Sequence, residues 1–139
     1  MNNKKNITIK ATVNSPIETV WSKWTNPNDI INWNSASDDW HTTKAENDLV
    51  IGGKFSYRME AKDGSFGFDF WGIYTHIITN ELIEYTMGDN RKAKVLFDFE
   101  NGQTNITSEF EAEDENPIEM QQFGWQAILN NFKSYTESI

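Results

Sequence analysis

The chain has two histidines, His41 and His76, and His41 has no spaced His partner for a metal site except His76. His41 closes the run Ser37-Asp38-Asp39-Trp40-His41, where three acid-base groups fall together. Neighbouring loop residues rarely converge on one ion, so no metal is expected there. His76 shares strand parity with Phe70 and Tyr74, which would aim it inward as a general base unless the strand is bulged before it. It is the one catalytic candidate, and a histidine satisfied at the rim of a sheet is the plainer reading. Asp69 and Asp98 alternate with Phe68, Phe70, Phe97 and Phe99, a parity that sends both carboxylates to solvent rather than together. The chain has no Cys, which removes thiol catalysis, disulfides and Cys-ligated zinc. It also lacks a nucleophile elbow, a phosphate-cradling glycine loop and a dinucleotide fingerprint, so no cofactor is expected; Gly52-Gly53 reads as a turn.

The aromatic content is the more informative chemistry. Six Trp, nine Phe and four Tyr make up 14% of 139 residues, more than a minimal core requires. Large rings can line a cavity as well as fill a core, so the excess permits a binding pocket without proving one. The formal charge of −9 opposes nucleic-acid binding, which depends on neutralising phosphates. No apolar run reaches membrane-spanning length, and MNNKKN leads directly into a strand pattern with no leader-like stretch. These features predict one domain over residues 1–139, flexible over 1–5, in the cytoplasm.

The elements that must hold these rings follow from periodicity. Ile7, Ile9, Ala11 and Val13 alternate with polar residues, a half-buried strand. Ser15-Pro16-Ile17-Glu18 opens a helix with Val20, Trp21 and Trp24 on one face. Asn26-Pro27-Asn28-Asp29 opens a second, through Ile30, Ile31 and Trp33. Six strands follow between turn signals: His41 to Val50, Lys54 to Lys62, Ser65 to Ile78, Leu82 to Met87, Arg91 to Glu100 and Gln103 to Ala112. Parity puts Phe55, Tyr57, Met59, Ala61, Val95, Phe97 and Phe99 inward, and Trp71, Ile73 and Leu96 outward. In Ser65 to Ile78 the apolar residues change parity, which predicts a bulge near Gly72. Asn116 to Thr136 is an amphipathic helix with Ile118, Trp125, Ile128, Leu129, Phe132 and Tyr135 on one stripe, and with Asn116 as the expected cap. Gly124 inside it costs about 1 kcal/mol relative to Ala, which calls for a packing or functional reason such as a close backbone or a ligand. The predicted class is α+β: a seven-stranded antiparallel sheet curled around the C-terminal helix, in the order β-α-α-β6-α.

Four stretches carry a family resemblance: VNSPIETVWSKWTNPNDIINW (13–33), GGKF (52–55), FWGIY (70–74) and GWQAILNNFKSY (124–135). In this order the chain resembles the START-like, or Bet v-like helix-grip (SRPBCC), superfamily over Ile7 to Tyr135. Within it, the chain resembles the activator of heat-shock-protein ATPase homologue (AHSA-type) group. The resemblance implies a cavity between the long helix and the concave sheet. Mapped onto this chain, its lining is Trp33, Trp40, Phe55, Tyr57, Met59, Phe70, Met87, Phe97, Met120, Trp125 and Ile128. Tyr57, Trp40 and His76 are the possible polar handles, and ordinary core is the competing reading for each lining residue. Three functions follow. The first is a non-catalytic module holding a small apolar or aromatic ligand. The second is a chaperone-interacting, ATPase-activator-like protein in a stress-response setting, with an apolar patch at Trp71, Ile73 and Leu96. The third is a cyclase- or hydrolase-like enzyme.

Overall fold

The computed structural model describes residues 5–138. Residues 1–4 of the expected flexible N-terminus lie outside the described residues, and the Lys5 carbonyl accepts from the Ala112 amide at 2.7 Å. Strand β1 (Asn6–Val13) is followed by α1 (Ile17–Thr25) and α2 (Pro27–Trp33). Next come β2 (Trp40–Asn47), β3 (Lys54–Ala61), β4 (Gly67–Ile78), β5 (Leu82–Met87), β6 (Lys92–Glu100), β7 (Gln103–Glu111) and α3 (Ile118–Glu137). The predicted β2 overran: Asp48 to Gly53 form a turn, and Val50 and Ile51 are exposed.

The sheet runs β1-β7-β6-β5-β4-β3-β2, antiparallel at every pair. Strands β2 to β7 are consecutive hairpins, while α1 and α2 carry the chain from one edge, β1, to the other, β2. The curled sheet grips α3, which lies beside β1. Along that flank Gln122, Gln126 and Lys133 donate to the carbonyls of Thr8, Lys10 and Thr12, at 3.4, 3.0 and 2.6 Å. Those carbonyls are on the free side of an edge strand, where an unpaired row is a template for another chain. The polar flank of the helix therefore has a structural task beyond facing water.

The interior divides lengthwise. At one end Trp21 and Trp24 of α1 meet Phe97 edge-on, with ring centroids 5.3 and 5.7 Å apart. Phe132 of α3 packs against Trp24 at 4.8 Å and Trp33 at 4.9 Å, and is completely buried. Burying one such ring is worth about 1.5–3 kcal/mol. This aromatic plug fills its half of the concave face. Under the N-terminal half of α3 the space is left open.

Four local expectations are corrected. Asn26 caps α2 as expected, accepting from the Asn28 amide at 3.0 Å, but Asn116 does not cap α3. Pro117 occupies the cap position without a side-chain bond, and the buried Gln121 reaches back instead. Its amide group accepts from the Glu113 amide at 2.9 Å and donates to the Asn116 carbonyl at 2.8 Å. The same displacement occurs at α1, where Pro16 stands at the cap. The bulge lies later than expected: the β4–β5 register slips between Tyr74 and His76, not at Gly72. Phe99, one residue from the end of β6, is 48% exposed, because parity assigns a face but not the extent of its cover.

Candidate functional site

The open half of the interior is a pocket of about 340 Å³ between α3 and the sheet. Its floor is organised by Phe55, whose ring centroid lies 5.0 Å from Tyr85, 5.2 Å from Tyr57, 5.4 Å from Tyr74 and 5.6 Å from Phe70. The cross-strand neighbour of Phe55 on β4 is Gly72. A Cβ there would stand 2.7 Å from the Phe55 ring and 2.8 Å from the Thr86 carbonyl oxygen. Glycine lets the ring lie against the strand itself, which is the close approach a strand glycine signals.

The roof comes from α3. Trp125 stacks on Phe110 of β7 at 3.8 Å and meets Phe70 of β4 edge-on at 5.9 Å. With Ile128 and Leu129 it spans the pocket from one side of the sheet to the other. Gly124 meets nothing within 4 Å on its Cβ side, so no close backbone accounts for it.

Polar groups are few and ordered. The Tyr74 hydroxyl donates to Asn47 Oδ1 at 2.5 Å, and Asn47 Nδ2 donates to the Thr25 carbonyl at 2.7 Å. Tyr57 lies near Tyr74 on the same wall. Burial is the main force pushing the phenols of Tyr57, Tyr74 and Tyr85 well above their ordinary pKa, and their mutual proximity pushes Tyr57 and Tyr85 further; Arg91 partly offsets the shift at Tyr85. Phenols held this high are neutral hydrogen-bonding groups at physiological pH, not general bases. Arg91, also on the lining, is bound to Asp89 at 2.7 Å and donates to the Glu111 carbonyl at 3.1 Å. The arrangement suits holding and orienting a molecule.

Of the residues anticipated on the lining, Trp33, Phe55, Tyr57, Met59, Phe70, Trp125 and Ile128 meet around the pocket. Four do not. Phe97 belongs to the plug, and Met87 is buried in the surrounding core. Trp40 begins edge strand β2 and packs on Phe66 and Phe68 at 6.1 and 6.0 Å. Met120 is 60% exposed, since five residues separate it from Trp125, about 140° round the helix. His76 is exposed, because the bulge before it reverses its face, and it pairs across the outer surface with Glu84. It is therefore not an inward base. Asp69 and Asp98 are exposed and apart, and among the described residues no three His, Asp or Glu side chains converge as metal ligands would. The reading missed Tyr74 and Tyr85, although both share parity with chosen neighbours, Phe70 and Met87. Arg91 and Glu113 also line the pocket, and nothing in their polar connections signalled it.

On the convex face, Ile78, Leu82 and Leu96 are direct cross-strand partners, with Ile78 and Leu96 exposed. The Lys54 ammonium lies over the Trp71 ring at 4.7 Å, so that indole is partly covered. Among the described residues no helix is long and apolar enough to cross a membrane.

A curved antiparallel sheet closed over a terminal helix, with an apolar pocket between them, defines the helix-grip class. The chain belongs to the family described as activator of Hsp90 ATPase homolog 1-like proteins, which it matches over residues 14–137. It is similar to an AHSA1-like protein from Aeromonas hydrophila solved in solution, at 45% identity and TM-score 0.91, covering 96% of this chain and 93% of that one. A Cytophaga hutchinsonii protein, also solved in solution, shares 52% identity at TM-score 0.83, covering 99% and 94%. A Chromobacterium violaceum crystal structure at 20% identity and TM-score 0.86, covering 96% and 98%, shares the fold. Comparison with curated proteins returned no match.

Proposed function

We propose that this protein is a non-catalytic binding module that holds a small, mostly apolar or aromatic molecule between α3 and the sheet. The observation carrying this reading is the half-filled interior: the plug packs one end with rings, while the other leaves about 340 Å³ walled by Phe55, Phe70, Trp125 and Ile128. Ligand sites of this kind are concave, chiefly apolar and furnished with a few placed polar groups. Apolar contact supplies most of the affinity, at about 25 cal/mol per Å² removed from water. The test is a screen of fatty acids, flavonoids and polyketides by thermal shift and native mass spectrometry. Selective binders are expected to raise the melting temperature and to lose that effect in Trp125→Ala; no binder in any class removes the proposal.

A second reading, a chaperone-contacting role in keeping with the family's description, is supported by the apolar row Ile78-Leu82-Leu96 on the convex face, with Ile78 and Leu96 exposed. An exposed apolar patch is the usual mark of a protein contact. The same organism's Hsp90-type chaperone, assayed for ATPase rate with and without this protein, decides it: an unchanged rate and no complex rule the role out.

A further inference from the structure

We infer that the pocket selects neutral ring compounds carrying a hydrogen-bond-accepting oxygen, such as a ring ketone, and that Tyr85 is the donor which meets that oxygen. This rests on the binding reading above and adds the ligand class to it.

Three phenols line the wall, and their hydroxyls are not equivalent. Tyr74 commits its proton to Asn47, which is anchored in turn to the Thr25 carbonyl, and Tyr57 is buried more deeply than the half-buried Tyr85. Tyr85 takes part in no side-chain hydrogen bond among the described residues, although its ring lines the pocket, edge-on to Phe55 at 83°. Nor is its hydroxyl sealed away: among the described residues, the one buried side-chain polar atom without a partner is Thr136 Oγ1. An unpaired donor facing a mostly apolar space is a strong selector, because a ligand that satisfies it gains a bond and one that cannot leaves it stranded. Tyr57 on β3 and Ser108 on β7 are the other lining hydroxyls without a side-chain hydrogen bond among the described residues.

Charge decides against an anion. The guanidinium on the lining is Arg91, with a side chain 15% exposed and already answered by Asp89 and the Glu111 carbonyl. Glu113 stands on the same lining. A carboxylate brought here would lose its hydration, meet a like charge, and find the cation already engaged. An uncharged carbonyl loses far less water and needs one donor.

The experiment compares α-tetralone, tetralin and the tetralin carboxylate by quenching of tryptophan fluorescence, since Trp24, Trp33 and Trp125 line the pocket. The ketone is expected to bind about tenfold more tightly than the hydrocarbon, and the carboxylate more weakly than either. Tyr85→Phe brings the ketone down to the hydrocarbon's affinity, whereas Ser108→Ala keeps the ketone's preference over tetralin. In the wild-type protein the ketone's infrared carbonyl band shifts to lower frequency on binding, a reading that holds even if Tyr85→Phe does not fold. Equal binding of ketone and hydrocarbon, tightest binding by the carboxylate, or an unshifted band overturns the selection rule while pocket binding stands. Loss of the preference in Ser108→Ala or Tyr57→Phe instead of Tyr85→Phe overturns the assignment of the donor. No binding of any of the three overturns the proposal and counts against the binding reading with it.

Discussion

Raising the pH tests the phenol wall as a unit. In the folded protein, burial holds Tyr57, Tyr74 and Tyr85 above their ordinary pKa, whereas in the unfolded chain each ionises near pH 10. Above that pH the folded state keeps protons the unfolded state has released. Stability is therefore fully present below about pH 10 and is lost as the pH climbs toward the raised folded values. Each retained proton removes about 1.4 kcal/mol per pH unit, so the three together remove about 4 kcal/mol per unit. A domain whose whole margin is about 5–15 kcal/mol cannot absorb that for long. Urea unfolding followed by circular dichroism, at steps from about pH 8 to about pH 11, should give a plateau and then this slope. Tyr57→Phe should remove about a third of it, a difference that also cancels the lysine titration common to both proteins. Phenolate absorbance should stay low until the dichroism signal is lost; the raised Tyr135, bonded to Asp29, should also stay silent near its usual pKa. Phenolate appearing near pH 10 in a protein that is still folded would refute the argument, and with it the claim that the wall is a set of neutral hydrogen-bonding groups.

Two glycines give opposite expectations for one substitution. Gly72→Ala drives a methyl into the Phe55 ring and the Thr86 carbonyl, and should cost about 1–3 kcal/mol in urea unfolding while weakening any pocket ligand. Gly124→Ala places its methyl in open space on a helix, and should stabilise by up to about 1 kcal/mol. A destabilised Gly124→Ala would mean that the space beside α3 is narrower than the structure shows.

Element types, their order and the face each presents were legible in the sequence, because alternation and the helical period are local properties of the chain. Phe55, Tyr57 and Met59 on one parity of β3, and Trp125, Ile128 and Leu129 on one stripe of α3, needed no tertiary information to be placed on the interior side. Which interior residues surround empty space was decided only by packing. Phe97 and Phe70 carry the same signal, yet one is clamped by Trp21 and Trp24 and the other faces the pocket, because α1 and α2 cover one end of the sheet and not the other. A bulge between Tyr74 and His76 reversed the histidine's face, and no residue type marks where such a slip falls. Asn116 has the right chemistry for a cap, but the structure puts Pro117 there, and Gln121 instead ties the preceding loop by bonding the Glu113 amide and the Asn116 carbonyl. Periodicity determines direction along one element. Occupancy of a volume depends on several elements meeting at once, and that belongs to the tertiary structure alone.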